Sequence, residues 1–310
     1  MRICVIFNPA ARGNRARRFH RHLDEIGGQC ALKATAAPGD ARRLAAEAVS
    51  EDYDLIAAAG GDGTVNEVLN GLGDAPDGFV RARLGVLPLG TVNVFARELK
   101  IPANLERAWE MLRRGNETKI DLPRAEFTAN GKNERRYFVQ LAGAGLDARA
   151  IELVNWQHKK KIGPLAYVIA GLKALRERKP EITVARAACL RAPNSEETRR
   201  QDACPAIFGE LVLIGNGKFY GGPFEIFPQA DLRDGQLDVC VLPRVDFPTL
   251  FRCVPDFIVR RRLPEKVVQR FRAKAFEVSG GEGFELDGEW VGNLPAKFSV
   301  ERGRLRVVVP

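Results

Sequence analysis

Histidine is scarce in this 310-residue chain: His20, His22 and His158 lie in basic stretches, none partnered with a cysteine or a carboxylate motif. The six cysteines, Cys4, Cys30, Cys189, Cys204, Cys240 and Cys253, include no C-x-x-C pair. A zinc centre and a dithiol redox site therefore have no basis in the sequence, and buried reduced thiols are expected. No apolar run approaches the roughly 18 residues of a membrane-crossing helix, and MRICVIF is too short for the core of a secretory leader. G-x-S-x-G, H-E-x-x-H and G-x-x-x-x-G-K-[ST] are missing as well, so hydrolase-elbow, zincin and Walker-type readings have no support. These absences predict a cytoplasmic protein that meets membranes only at their surface.

What is present is the composition of a folded globular protein, with 45% hydrophobic and 28% charged residues. Lys and Arg number 48 against 39 Asp and Glu, a net charge of +9, which favours anionic partners such as phosphates or acidic membranes. No nucleic-acid-binding module is recognisable, so nucleic acid is not an expected partner. A homodimer is left open.

Up to about residue 120 the pattern alternates strands (ICVIF, CALKAT, DLIAAA, RLGVLPL) with helices (15–26, 41–49, 64–72, 105–112). Short continuous apolar strands between helices predict a parallel sheet covered on both faces. After KIDLPRA, RYFVQLA, EITVARAACL, AIFGELVLIGN, QLDVCVL, AFEVSG, GFELDGE and KFSVE read as antiparallel strands. A helical island at 148–175 and a polar loop at 193–204 interrupt them. The expected fold is α/β plus mainly β, in two domains at 1–122 and 123–310 with the site in the cleft between them. The terminal LRVVVP can complete either, so residues from about 295 are candidates to pack back on the first.

The strongest local signal is Asp54 to Leu72, where a buried strand runs into Gly60-Gly61-Asp62-Gly63-Thr64 and a helix starts at once. Glycines let backbone approach a ligand closely, and the helix N-terminus offers unpaired N–H groups, so the turn suits phosphate. A carboxylate repels polyphosphate unless a divalent cation lies between them, which makes Asp62 a Mg²⁺-side residue. The plainer alternative is that Asp62 caps the helix. Two more strands end in similar loops, Asn8 to Gly13 and Gly90 to Asn93, and open α/β sheets bind ligands beyond such strand ends.

FNPAARG, GGDGTVNEVLNG, PLGTVNVFARELKIP, GNGKFYGGPFEIFPQADLRDGQLDV and LDGEWVG, in this order, resemble the diacylglycerol kinase catalytic-domain family, which includes bacterial lipid kinases and the sphingosine and ceramide kinases. The resemblance covers nearly the whole chain. It implies a two-domain fold of the diacylglycerol-kinase and NAD-kinase type, ATP and Mg²⁺ as cofactors, and a lipid hydroxyl as acceptor at an anionic membrane surface. Asn8, Pro9, Gly13, Thr35 and Thr91 match the family's nucleotide contacts, as do Gly60, Gly61, Asp62, Gly63, Thr64, Val65, Asn66 and Glu67 in the central loop. Asp62 and Asp121 match residues acting through Mg²⁺, and Glu289 the proton acceptor. Asp231, Asp234 and Gln236, the last through its carbonyl, match a structural magnesium site of bacterial members; as residues alone, Asp231 to Gly235 also reads as an Asx turn. Where bacterial relatives often carry a first-loop lysine, this chain has Arg12 and Arg15 as candidates.

Gly143-Ala144-Gly145-Leu146-Asp147-Ala148 superficially fits G-x-G-x-x-A but lacks the acidic residue about 20 positions on, so it reads as a tight turn lining the acceptor cleft. Basic clusters at 15–18, 158–161, 176–179 and 260–262 read equally as solvated faces or as adhesion sites for anionic lipid. Lipid phosphorylation, with diacylglycerol the default acceptor, leads. A soluble-metabolite kinase of NAD-kinase type and a non-catalytic anionic-membrane-binding protein are the rivals.

Overall fold

The computed structural model describes residues 1–9, 14–21, 26–153, 181–186 and 206–310. Arg12, Gly13, His22, Cys189, Cys204, the expected helix beyond residue 153, the polar loop at 193–204 and the basic stretches at 158–161 and 176–179 lie outside the described residues.

The first half runs β1 (Ile3–Phe7), α1 (Asn14–Arg21), β2 (Ala31–Ala34), α2 (Asp40–Ser50), β3 (Leu55–Gly60), α3 (Asp62–Asp74), α4 (Gly78–Arg81), β4 (Arg83–Pro88), α5 (Val94–Glu98) and α6 (Leu105–Arg114). The four strands pair in parallel in the order β2-β1-β3-β4. Every residue of β1 and β3 is buried, as the uninterrupted apolar runs require of strands covered on both faces. Helix α2 buries Ala41, Leu44, Ala45, Ala48 and Val49, an apolar stripe at three- and four-residue spacing. It packs closely on α3 because Gly71 has no side chain: a Cβ there would collide with the carbonyl oxygen of Arg42. The side chain of Asn104 caps α6 by accepting from Arg107 N–H at 2.9 Å, and Gly115 ends it at φ +71°.

The second half continues with β5 (Glu117–Ala129), β6 (Lys132–Tyr137), β7 (Leu141–Gly145), α7 (Leu146–Glu152), β8 (Ile182–Arg186), β9 (Ile207–Gly209), β10 (Leu211–Gly215), β11 (Phe219–Tyr220) and β12 (Phe224–Glu225). It ends with β13 (Leu237–Leu242), α8 (Phe247–Val259), β14 (Gln269–Ala273), β15 (Ala275–Gly280), β16 (Gly283–Leu286), β17 (Glu289–Asn293) and β18 (Ala296–Val308). Among the described residues, one antiparallel sheet has the order β14-β13-β10-β7-β16-β17. It packs on β5, β8, β15 and β18 through a core in which Phe298 stacks on Phe276 at 5.5 Å and meets Phe284 edge-on. Phe298 is fully buried, and a Phe→Ala change at such a site costs roughly 3–5 kcal/mol.

β18 joins the halves. Its first residues pair with β15, residues 296–301 and 305–308 pair with β5 on either side of a bulge, and Val307 pairs in parallel with Leu84 of β4. LRVVVP thus extends the N-terminal sheet, and β5 runs unbroken through positions 122 and 123.

Three local expectations differ from the structure. RYFVQLA is not one strand: β6 ends at Tyr137 and β7 starts at Leu141, because the Asp287 carboxylate takes the N–H groups of Val139, Gln140 and Leu141 that a strand partner would otherwise engage. The Gly143-to-Ala148 segment is not a turn, since Gly143 and Gly145 belong to β7 and pair with β10. Helix α8 and strand β14 were not anticipated; Pro255 inside α8 masks the start signal given by Asp246, whose side chain accepts from Thr249 N–H at 2.9 Å.

Candidate active site

The loops that follow β1, β2, β3 and β4 gather at one edge of the parallel sheet, bringing Asn8, Pro9, Thr35, the Gly60-to-Thr64 turn and Thr91 to the same side. Thr35 N–H donates to the Phe7 carbonyl at 2.9 Å, which ties the second loop to the first. Asn8, Pro9 and Thr91 are exposed.

Gly60, Gly61 and Gly90 are close-packed backbone. The N–H groups of Leu89 and Gly90 both donate to the Gly60 carbonyl, and a Cβ on Gly90 would stand 2.5 Å from Gly61 Cα. Asp62 opens α3 without capping it: its carboxylate accepts from Val94 N–H at 3.1 Å and Phe95 N–H at 3.3 Å, at the start of α5. Asp62 therefore fastens the Gly90-to-Asn93 loop to the glycine turn. Burial pushes its carboxyl above the usual range, with the backbone donors opposing that shift.

Glu289 arrives from the other half of the chain. Asp287 and Gly288 form a two-residue hairpin between β16 and β17, with φ +51° and +87°, the left-handed pair of a tight Asp-Gly turn. This turn lays Glu289 against the first turn of α3, where a Cβ on Gly63 would collide with Glu289 Oε1. Asp287 is the anchor: one oxygen accepts from Asn66 Nδ2 at 2.8 Å and Val139 N–H at 3.0 Å, the other from Gln140 and Leu141 N–H at 3.0 and 3.1 Å. Asn70, one helical turn after Asn66, donates to the Tyr137 carbonyl and accepts its N–H.

The other loop residues divide by what they touch. Asn66 points to Asp287 and the Tyr137 carbonyl, clasping the two halves. Glu67 accepts from Gly39 and Ala41 N–H, both at 3.0 Å, capping α2. Val65 is buried in the core, leaving only its backbone to a ligand. Thr64 packs so closely on Gly60 that a Cβ there would collide with it.

Asp121 stands elsewhere. It is fully buried in β5, where its oxygens accept from Gly235 and Gly303 N–H and burial raises its pKa. It has no exposed surface, so its reach toward a ligand runs through the loops at Gly235 and Gly303 that it holds. The 231–236 loop also differs from the expected metal site. Asp231 Oδ1 accepts from Arg233 N–H at 3.1 Å, an Asx turn, while Asp234 pairs with Arg272, which also reaches Asp238 at 3.2 Å. Guanidinium groups supply the charge a cation would bring, so the loop does not fit a magnesium ion and no metal-dependent step is assigned to it. Among the described residues, no three His, Cys, Asp or Glu side chains are grouped to hold a metal.

Beneath the Glu289 hairpin lie two acids that sequence reasoning missed. Glu285 is fully buried and Asp147 half-buried with its Oδ2 enclosed; Glu285 Oε2 accepts from Gly288 N–H at 2.6 Å, and Asp147 accepts from the Tyr220 hydroxyl. Gly143 leaves the space for both, since a Cβ there would strike Asp147 Oδ2 and stand 2.9 Å from Glu285 Oε1. Desolvation, with each acid beside the other, raises the Glu285 carboxyl well above its ordinary value. Two carboxyls in the strand pattern GFEL and the segment GAGLDA carried no signal of contact, because their pairing depends on sheet register.

A glycine cradle at a helix N-terminus with a carboxylate laid against it supplies two requirements of phosphoryl transfer to a hydroxyl, and the class is that of phosphotransferases with an alcohol acceptor. The chain belongs to the diacylglycerol kinase family: the Diacylglycerol kinase catalytic domain matches residues 2–125 and the YegS C-terminal NAD kinase beta sandwich-like domain residues 140–309. It is 30% identical to a diacylglycerol kinase of Staphylococcus haemolyticus, covering 100% of this chain and 89% of that protein. A diacylglycerol kinase of Staphylococcus aureus (strain Newman) is 32% identical, covering 89% and 81%. A solved diacylglycerol kinase structure from Bacillus anthracis str. Sterne shares the fold with a TM-score of 0.72 at 23% identity, over 100% of this chain and 97% of that one.

Proposed function

We propose that this kinase transfers the γ-phosphate of ATP, with Mg²⁺, to the hydroxyl of a membrane lipid, diacylglycerol first among the acceptors and ceramide or a sphingoid base after it. The observation that carries the reading is the contact of the Glu289 carboxylate with Gly63 at the start of α3. It brings a base and a phosphate cradle together from halves of the chain more than two hundred residues apart.

The cradle fits a polyphosphate: α3 offers N–H donors and positive potential at its first turn, where Gly61 and Gly63 carry no side chain to cover them. Asp62, half-buried at the glycine turn, would hold the magnesium ion, which when bound neutralises phosphate charge. Glu289 orients the lipid hydroxyl and accepts its proton, a contribution of about 10² to 10⁴ in rate. Asp287 and Asn66 hold that hairpin against α3, while Asp121 acts as a positioning residue through the 232–236 loop.

The test is transfer of labelled γ-phosphate into diacylglycerol, ceramide and a sphingoid base offered separately in mixed micelles. One lipid is expected to take label, and Glu289→Gln to lower turnover at least about a hundredfold while nucleotide affinity and melting temperature hold. Label entering NAD alone would replace the lipid reading by a soluble-metabolite kinase. ATP binding without transfer to any acceptor would leave a binding protein, and full activity in Glu289→Gln would remove the proposed base.

A further inference from the structure

Helix α8 carries an unusual surface. Phe247, Phe251 and Val259 are 53%, 78% and 80% exposed, and spacings of four and eight residues place them on one broad side of the helix. Exposed cations surround them: Arg244, Arg252, Arg260, Arg261, Arg262 and Lys266, against the carboxylates of Asp246, Asp256 and Glu265. Beside the helix lies a groove of about 810 Å³ whose walls include Arg252, Arg260, Lys266 and Arg270. Apolar side chains that cost free energy in water, ringed by arginines, match a bilayer interface, where acyl chains take the former and anionic headgroups the latter.

The same surface is joined to the nucleotide loops. Glu225 N–H donates to the Arg261 carbonyl at 2.9 Å, and its carboxylate pairs with Arg262 at 2.9 Å. Glu225 belongs to the β11–β12 hairpin, where a Cβ on Gly222 would stand 3.5 Å from Val92, the residue after Thr91. One short hairpin therefore separates the basic end of α8 from the loop that Asp62 fastens.

We propose that α8, with the basic groove beside it, docks the protein on an anionic bilayer surface. The proposal deepens the lipid-kinase reading by naming the face that meets the membrane, and its test needs no turnover. The whole protein is sedimented with vesicles of phosphatidylcholine alone or of equimolar phosphatidylcholine and phosphatidylglycerol. Binding is expected only to the anionic vesicles and is expected to weaken as salt approaches about 1 M, where the screening length is about 3 Å. Replacing Arg260, Arg261 and Arg262 together by Gln should weaken it roughly a hundredfold, and Phe251→Ser with Val259→Ser roughly tenfold. Phosphorylation of a short-chain, monomeric diacylglycerol should be unchanged in both variants. A Phe251→Trp protein provides the check that does not depend on the folding of the others: its emission should shift to the blue on anionic vesicles relative to the parent. Unchanged vesicle affinity in the variants, equal binding to neutral vesicles, or no shift at position 251 in vesicle-bound protein would each overturn the docking face. Absence of lipid phosphorylation with binding intact would strike the kinase reading instead.

Discussion

At the scale of single residues, the Asp147 and Glu285 carboxyls set a condition on pH. Burial raises both, and Asp147 raises Glu285 further while the contact with Glu285 opposes the rise at Asp147, so the folded protein holds protons there that the unfolded chain releases. Stability contributed by such a raised group is full below the ordinary carboxylate value and is lost as pH rises from there through the folded value. The urea midpoint is therefore expected to fall as pH rises above about 4.5, the ordinary value for Glu285, and Glu285→Gln is expected to flatten that slope. A parent protein whose midpoint climbs over the same range would contradict the raised carboxyls. Because Glu285 also holds Gly288 N–H, the titration acts beside Glu289.

Among the elements, the 231–236 loop shows how a motif and its surroundings can diverge. The Asp-x-x-Asp-Gly spacing was legible, but Arg272 lies on β14 and reaches Asp234 only because β14 pairs with β13. A chelator is accordingly expected to leave the melting temperature of the nucleotide-free protein unchanged. Arg272→Met should lower stability by about 1–2 kcal/mol, a figure reduced for the partial exposure of the pair. A chelator-induced fall in melting temperature would restore the metal reading. The glycine turn and the parallel strands were readable because their signals are local: apolar runs, helix starts and backbone that tolerates no side chain. Glu289 was readable through its motif, but its contact with Gly63 was not, nor was the use of Asn66 and Glu67 as fasteners, since these depend on how distant segments pack. Asp287 illustrates the limit, as one carboxylate ended β6 early by taking donors about 147 residues away.

In the whole molecule, the two sheets are not separable bodies joined by a tether. Fragments 1–139 and 140–310, expressed apart, are expected to be protease-sensitive and to regain a protected core only when combined; two independently resistant fragments would contradict this. The reason is β18, which closes the open edge of β4 and supplies a central strand to the second sheet pair. Since β18 follows the other described elements in chain order, a ribosome must deliver the residues up to Val308 before either half can complete its hydrogen bonding. Until then β4 presents a bare parallel edge to the cell, a template for mispairing that high-contact-order chains expose for longest. Synthesis of this kinase should therefore lean on chaperones that shield nascent strands, and its yield should respond to their supply more than to the stability of the finished fold.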